Sequence, residues 1–371
     1  MACVLEVLRG ETSCQPVALA EWQDAFRVAE QEAILPYFAA RLRHSGAPLP
    51  CPIQDDLARA EQQAARNSFW WTSELRGILR AFAAAAIPVI PLKGPMLAER
   101  IYGRIDLRQS GDLDLLVRPP HIGSANSLLE KLGFSTHCKA SDYHYSWRRG
   151  TTVVELHFDV ENPLRFNFDT AAAWKRAKPR DFLGQSVWQF APSDELLFLC
   201  IHGVRHTFIC LTYVLDVFLG LNCLAPEIDP TVYEHGPAAR LRPLIVLGRA
   251  MAMRLDPRSN PALELRVSAQ TTAHLEKLAD RRWKALVEDP SASFDGPNRH
   301  LFYLGIYLET ATTATGRLRL IARDIRALAK ILTQADFEFA ARFGVKQIGL
   351  VWMLRQFRIL AKLCRLRLAT K

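Results

Sequence analysis

The chain has 371 residues, 49% of them hydrophobic and 23% charged, which excludes disorder by composition and leaves room for two domains or one large domain with extensions. The formal net charge of +9 is uneven, because thirteen Lys and Arg face three Asp and Glu over residues 317–371. The eight cysteines are scattered without a C-x-x-C pair, which argues for free thiols in a reducing compartment, the cytoplasm, and against a cysteine-built zinc site.

The N-terminal stretch "MACVLEVLRGETSC" has no basic region followed by an apolar run, so no secretory leader is expected. Apolar residues recur at three- and four-residue spacing over 18–43 and 53–84, which predicts helices interrupted by the Pro-rich "GAPLPCP". At "IPVIPL" the helical period gives way to a short β-branched run, a first strand over 87–92. A short helix over 96–102 stops at Gly103, a strand covers 112–117, and a helix over 121–132 ends before Gly133. Short strands over 134–138 and 143–147 lead to a turn at Arg149-Gly150. In a strand over 152–160, Val154, Leu156, Phe158 and Val160 share one face, and Glu155, His157 and Asp159 share the other.

The element order βαβαβββ describes an α/β or α+β core. From Ser193, an N-cap in "SDEL", the pattern is helical again. The apolar stretch 207–225 approaches membrane length but carries Asp216 at its centre, and reads as a buried helix of a bundle rather than a membrane span. The expected organisation is a helical region over 1–80, a core over 81–190, and a C-terminal helical domain over 191–371 with the basic tail.

The chemistry concentrates in "IPLKGPMLAERIYGRIDLRQSGDLDLLV", residues 90–117. Side chains two apart in a strand share a face, so Asp112 and Asp114 project together while Leu113 and Leu115 pack beneath. Two adjacent carboxylates in an apolar setting repel and call for a cation. Mg²⁺, or Mn²⁺, is the natural ion, because hard oxygen ligands and substrate phosphates complete such sites. Glu155, on the polar face of the clear strand, is the third acid expected to complete the metal set. Lys93 and Gly94 lie where a strand turns into a helix, a place suited to phosphate, and Arg108 and Ser110 add phosphate contacts. Alone, an Asp-x-Asp or a Lys-Gly is a frequent chance pattern; the order of the parts gives them weight.

Together with "LLEKLGF" and "VVELHFDV", this stretch resembles the nucleotidyltransferase-fold (DNA polymerase beta-like) superfamily. More narrowly, it is similar to an uncharacterised bacterial nucleotidyltransferase family with Leu-Lys-Gly, a Tyr, Arg-x-x-x-Asp-Leu-Asp and a Leu-His strand, and to the toxin-type nucleotidyltransferases of abortive-infection systems. The likeness covers residues 68–220. It implies an α+β fold, a small mixed-sheet core framed by N- and C-terminal helices. It also implies metal-dependent transfer of a nucleoside monophosphate from an NTP, with ATP expected, to an acceptor hydroxyl on a small molecule, peptide or protein. By position, Asp112, Asp114 and Glu155 are the implied catalytic metal ligands and Gly94 the phosphate-loop glycine. Many members of the superfamily have Gly-Ser where this chain has Gly94-Pro95, so Lys93 or Ser110 must supply the missing phosphate contact. The alternative is a non-catalytic member that binds nucleotide or a partner.

In "CIHGVRHTF", His202 and His206 stand four apart on one helical face. They read as a structural pair, as contacts to nucleotide or acceptor, or as metal ligands; a metalloprotease reading fails for want of a Glu after the first His. For His157 the alternatives are a structural hydrogen bond and an acceptor contact. The basic tail reads as an amphipathic cover for the core, as peripheral contact with an anionic membrane, or as a nucleic-acid surface. No RNA- or DNA-binding signature accompanies it.

Overall fold

Prolines open two of the N-terminal helices, at positions where a missing amide costs nothing. The helices are α1 (Ala2–Arg9), α2 (Leu19–Gln31), α3 (Leu35–Ser45) and α4 (Cys51–Ala84), with Pro36 and Pro52 in the first turns of the last two. The computed structural model describes residues 1–11, 17–138, 143–162, 166–259, 263, 265–288, 302–303, 305–306 and 309–310, all within one compact unit, Met1–Thr310. The basic segment 317–371, on which the membrane and nucleic-acid readings rest, lies outside the described residues.

Next come β1 (Val89–Pro91), α5 (Gly94–Leu97), which continues into a π-type turn over Ala98–Tyr102, β2 (Leu113–Val117), α6 (Ile122–Lys131), β3 (Ser135–Cys138), β4 (His144–Arg149) and β5 (Thr152–His157). They build a five-stranded sheet in the order β1-β2-β5-β4-β3. The β2–β5 pair is parallel and the others are antiparallel, so the fold is α+β with a mixed sheet. Leu75, Ile78, Leu79 and Phe82 of α4, with Ala125 and Leu129 of α6, cover one face of the sheet and bury Leu113, Leu115, Val117, Val154 and Leu156 against it. That burial is the apolar half of the alternation visible in the sequence.

Several boundaries differ from the sequence reading. The first strand is shorter than 87–92, because Ile87 N still bonds to Phe82 O at the end of α4. Asp112 stands just before β2 instead of inside it. The strand expected to reach Val160 ends at His157, where the amides of Phe158 and Asp159 both turn to Tyr143 O.

Helix α7 (Thr170–Arg176) and the hairpin β6 (Lys178–Phe182) and β7 (Gln185–Gln189) were not expected. The hairpin turn has φ 56° at Leu183 and 71° at Gly184, the pairing of a type I′ turn, which normally advertises itself by Asn-Gly. Leu183 in the first position conceals it.

The chain then forms α8 (Pro192–Arg205), α9 (Leu211–Leu224), α10 (Gly236–Leu255) and α11 (Ala269–Glu288). Ala191, not Ser193, is the N-cap of α8, and Pro192 takes the first turn. The stretch 207–225 yields α9, whose Asp216 is buried. No described helix is long and apolar enough to cross a membrane.

Candidate active site

Parallel pairing of β2 with β5 sets Asp114 opposite Glu155 and Leu116 opposite His157. Since alternate residues leave a sheet on alternate faces, burying Leu113, Leu115, Val154 and Leu156 in the core sends Asp114, Glu155 and His157 to the other face together. His157 Nε2 lies 3.2 Å from Asp114 Oδ1 and 3.4 Å from Glu155 Oε2. On the strand beyond, His144 Nε2 lies 3.7 Å from Glu155 Oε1.

Lys93 reaches the same cluster because the β1–β2 pairing extends one bond past β1, from Leu92 N to Asp114 O at 2.9 Å. Its Nζ lies 2.9 Å from Asp114 Oδ2. This is an ion-pair contact without hydrogen-bond alignment, and Asp114 Oδ2 is buried with no hydrogen-bond donor. Lys93 Nζ also lies 3.2 Å from His202 Nε2.

Charge in this cluster is arranged by proximity. Burial raises the Asp114 carboxyl, but Lys93 and the His157 hydrogen bond outweigh it and hold the group well below the usual carboxylate range. Burial opposes a charge on Lys93, yet the Asp114 and Asp112 carboxylates hold its pKa above the ordinary value. His157 is likewise disfavoured as a cation by burial and raised overall by its bonds to Asp114 and Glu155. Glu155 is lowered, with the His157 hydrogen bond overcoming burial. Asp112 moves the other way, raised by the Asp114 charge and then by burial. Burial and then Lys93 push His202 well below the usual histidine range, so its neutral Nε2 accepts from the Lys93 ammonium.

The other expected site residues fall as follows. Gly94 has φ 66°, which turns the chain from β1 into α5 in a conformation that a Cβ disfavours. Ser110 Oγ lies 3.9 Å from where a Cβ on Gly94 would stand, so this hydroxyl faces the Lys93-Gly94 turn. Arg108 is committed elsewhere: its Nε and Nη2 each donate to an Asp216 oxygen at 2.8 Å, and Tyr102 Oη donates to the same carboxylate at 2.7 Å. The guanidinium expected to contact phosphate instead ties the loop before β2 to α9.

His206 stacks on Tyr213 with ring centroids 4.8 Å apart. Among the described residues, neither His202 nor His206 belongs to a group of three metal-type ligands. Asp114, Glu155 and His157 do form one, with ligand atoms within 4.8 Å of one another. Two carboxylates and an imidazole nitrogen this close together are a donor set that fits a divalent cation.

Arg205, at the end of α8, was missed from the sequence. Its Nε lies 3.3 Å from Glu161 Oε2 and its guanidinium sits over the Tyr143 ring, so it brings a second cation to the acid cluster. Nothing local marks it, since it depends on α8 crossing the sheet. Gly203 makes room for the turn that follows α8, because a Cβ there would collide with the Phe208 ring.

A model of the family described as uncharacterised nucleotidyltransferase matches residues 18–254, and the chain belongs to this family. It is a nucleotidyltransferase. Among solved structures, ANT(2″)-Ia in complex with adenylyl-2″-tobramycin is similar at 16% identity and TM-score 0.36, over 46% of this chain and 96% of that one. An antigenic nucleotidyltransferase-like protein from Paracoccidioides brasiliensis is similar at 18% identity and TM-score 0.38, over 55% of this chain and 96% of that one. No curated protein matches the chain.

Proposed function

We propose that the chain transfers a nucleoside monophosphate from an NTP, ATP being the expected donor, to a hydroxyl of a small molecule, peptide or protein. The observation that carries this reading is the in-register placement of Asp114 beside Glu155 on parallel strands, with Lys93 2.9 Å from Asp114. Asp112, Asp114 and Glu155 are the residues proposed to hold a divalent cation, Mg²⁺ or Mn²⁺. When bound, such an ion neutralises phosphate charge and makes an acceptor hydroxyl easier to deprotonate.

The chain's own groups do the positioning. The Gly94 turn, Lys93 and the Ser110 hydroxyl face the phosphates. Arg108 is assigned to holding the loop before β2 through Asp216. In the reaction, the acceptor oxygen bonds to the α-phosphorus as the bond to the bridging oxygen of the β-phosphate breaks. Pyrophosphate leaves, and a carboxylate of the acid cluster takes the hydroxyl proton. The described cysteines Cys3, Cys51, Cys200, Cys210 and Cys223 are free thiols, in keeping with the cytoplasm as the proposed location.

The test is incubation of the purified protein with each α-labelled NTP, Mg²⁺ or Mn²⁺ and a lysate of its host. Wild type is expected to label one acceptor class, and Asp114→Asn is expected to lose that transfer while still folding. Label that moves only from the γ-position would replace nucleotidyl transfer with phosphotransfer. If no label moves although the protein binds NTP, the non-catalytic reading holds.

A further inference from the structure

The acid cluster contains an imidazole where an all-oxygen metal site has none, and the ring is set in the manner of a ligand. His157 Nδ1 lies 3.3 Å from the Asp159 carbonyl oxygen. A carbonyl only accepts, so Nδ1 keeps its proton, and Nε2 is the nitrogen that an ion can take by displacing the proton shared with Asp114 and Glu155. Metal-binding histidines are typically oriented in this way, with the far N–H given to a carbonyl or carboxylate.

The ring is buried and packed. Its side chain is 2% exposed, and the Tyr143 and His144 rings lie against it, with centroids at 5.8 Å and 5.1 Å. Nε2 points between two carboxylates, 3.2 Å from Asp114 Oδ1 and 3.4 Å from Glu155 Oε2. Adjacent ligands of an octahedral ion with bonds of about 2.1–2.2 Å stand roughly 3 Å apart, so both Nε2–carboxylate separations are close to edges of such a polyhedron. Lys93 occupies the other Asp114 oxygen and leaves Oδ1 to this face. Asp112 is not part of this compact group.

We infer that His157 Nε2 is a metal ligand together with Asp114 and Glu155, and that this mixed nitrogen–oxygen set prefers Mn²⁺ to Mg²⁺. Imidazole suits transition ions, whereas Mg²⁺ favours oxygen alone. The inference rests on the proposed reading of this cluster as a cation site. It adds His157 to the proposed carboxylate set, with Asp112 outside the compact group of three.

The test uses the full chain, stripped of metal by chelation and titrated with Mn²⁺, with binding followed by loss of the free-ion EPR signal. Pulsed EPR on the bound ion then reports any coupling to ¹⁴N. Wild type is expected to bind Mn²⁺ with ¹⁴N coupling, and more tightly than Mg²⁺ in competition. His157→Gln is expected to lose the coupling and to bind Mn²⁺ about tenfold or more weakly. His144→Gln, which alters the neighbouring ring, is expected to keep the coupling. Bound Mn²⁺ without ¹⁴N coupling in the wild type, or coupling that survives in His157→Gln, would overturn the inference while leaving a carboxylate-held ion and the proposed function in place. Absence of Mn²⁺ binding, with or without a non-hydrolysable NTP analogue, would overturn the inference and the metal-dependent reading together. Should His157→Gln fail to fold, His157→Asn takes its place in the same comparison.

Discussion

Asp114 sits between Lys93 and His157, and its side chain is only 2% exposed. A buried charge that keeps its partners is tolerated, whereas one that loses a partner is costly. Lys93→Met is therefore expected to destabilise the metal-free protein by about 3 kcal/mol. Lys93→Met combined with Asp114→Asn should recover part of that loss, because the orphaned carboxylate is gone. Urea unfolding of the wild type, both single variants and the double variant measures the coupling; strictly additive losses would show that Lys93 does not serve Asp114. The same ion pair offsets part of the repulsion between the neighbouring acids. It also means that any ion entering the cluster must share Asp114 with Lys93.

At the level of elements, the turn from α8 to α9 is held in an uncommon backbone conformation. Thr207 and Phe208 have φ of 54° and 47°, values that cost energy for residues with a Cβ. The surroundings fix the turn. Glu32 Oε2 accepts from Leu211 N at 2.7 Å, Arg282 of α11 donates to the carbonyls of Phe208 and Ile209, and Tyr303 donates to Arg205 O. Burial raises the Glu32 carboxyl to about 7, against the Leu211 bond and Arg282, which lower it. A raised folded-state pKa means that the folded protein keeps a proton that the unfolded chain gives up. The resulting stability is full below the ordinary glutamate range and is lost as pH rises to about 7. Glu32→Gln keeps an acceptor for Leu211 N and cannot ionise. Its stability relative to wild type is thus expected to improve from pH 4.5 to about 7 and to level off above. Thermal melts across that range check this, and a difference independent of pH would sink it.

At the scale of the whole described unit, the sheet and the C-terminal helices are joined by a buried polar link. Arg108 precedes β2, Tyr102 ends the π-type turn, and both bond to Asp216 at the middle of α9. Asp216→Asn would leave the Arg108 guanidinium buried with half its compensation. The expected loss is about 3–5 kcal/mol, read from chemical denaturation, whereas a change within about 0.5 kcal/mol would place the link among dispensable contacts. The link also explains why α9, almost wholly apolar in sequence, keeps one acid at its centre. The position of the candidate site depends on this arrangement, because α8 brings His202 and Arg205 over the face of the sheet that carries Asp114, Glu155 and His157.

Local pattern was enough for the strand-helix order of the sheet, the shared face of Glu155 and His157, and the turn at Lys93-Gly94. Each of these follows from short-range geometry: a period of two in strands, a turn after an apolar run, a glycine where φ is positive. The β6–β7 hairpin was not legible, since Leu183 stands where a turn residue is usual. Only the tertiary structure decided that Asp114 and Glu155 are direct neighbours, that Arg108 turns to Asp216, and that Lys93 meets His202. Those pairs are 41, 108 and 109 residues apart in the chain. Charge pairing across such distances is set by which strand lies beside which and which helix covers them, and no local pattern in the chain encodes that choice.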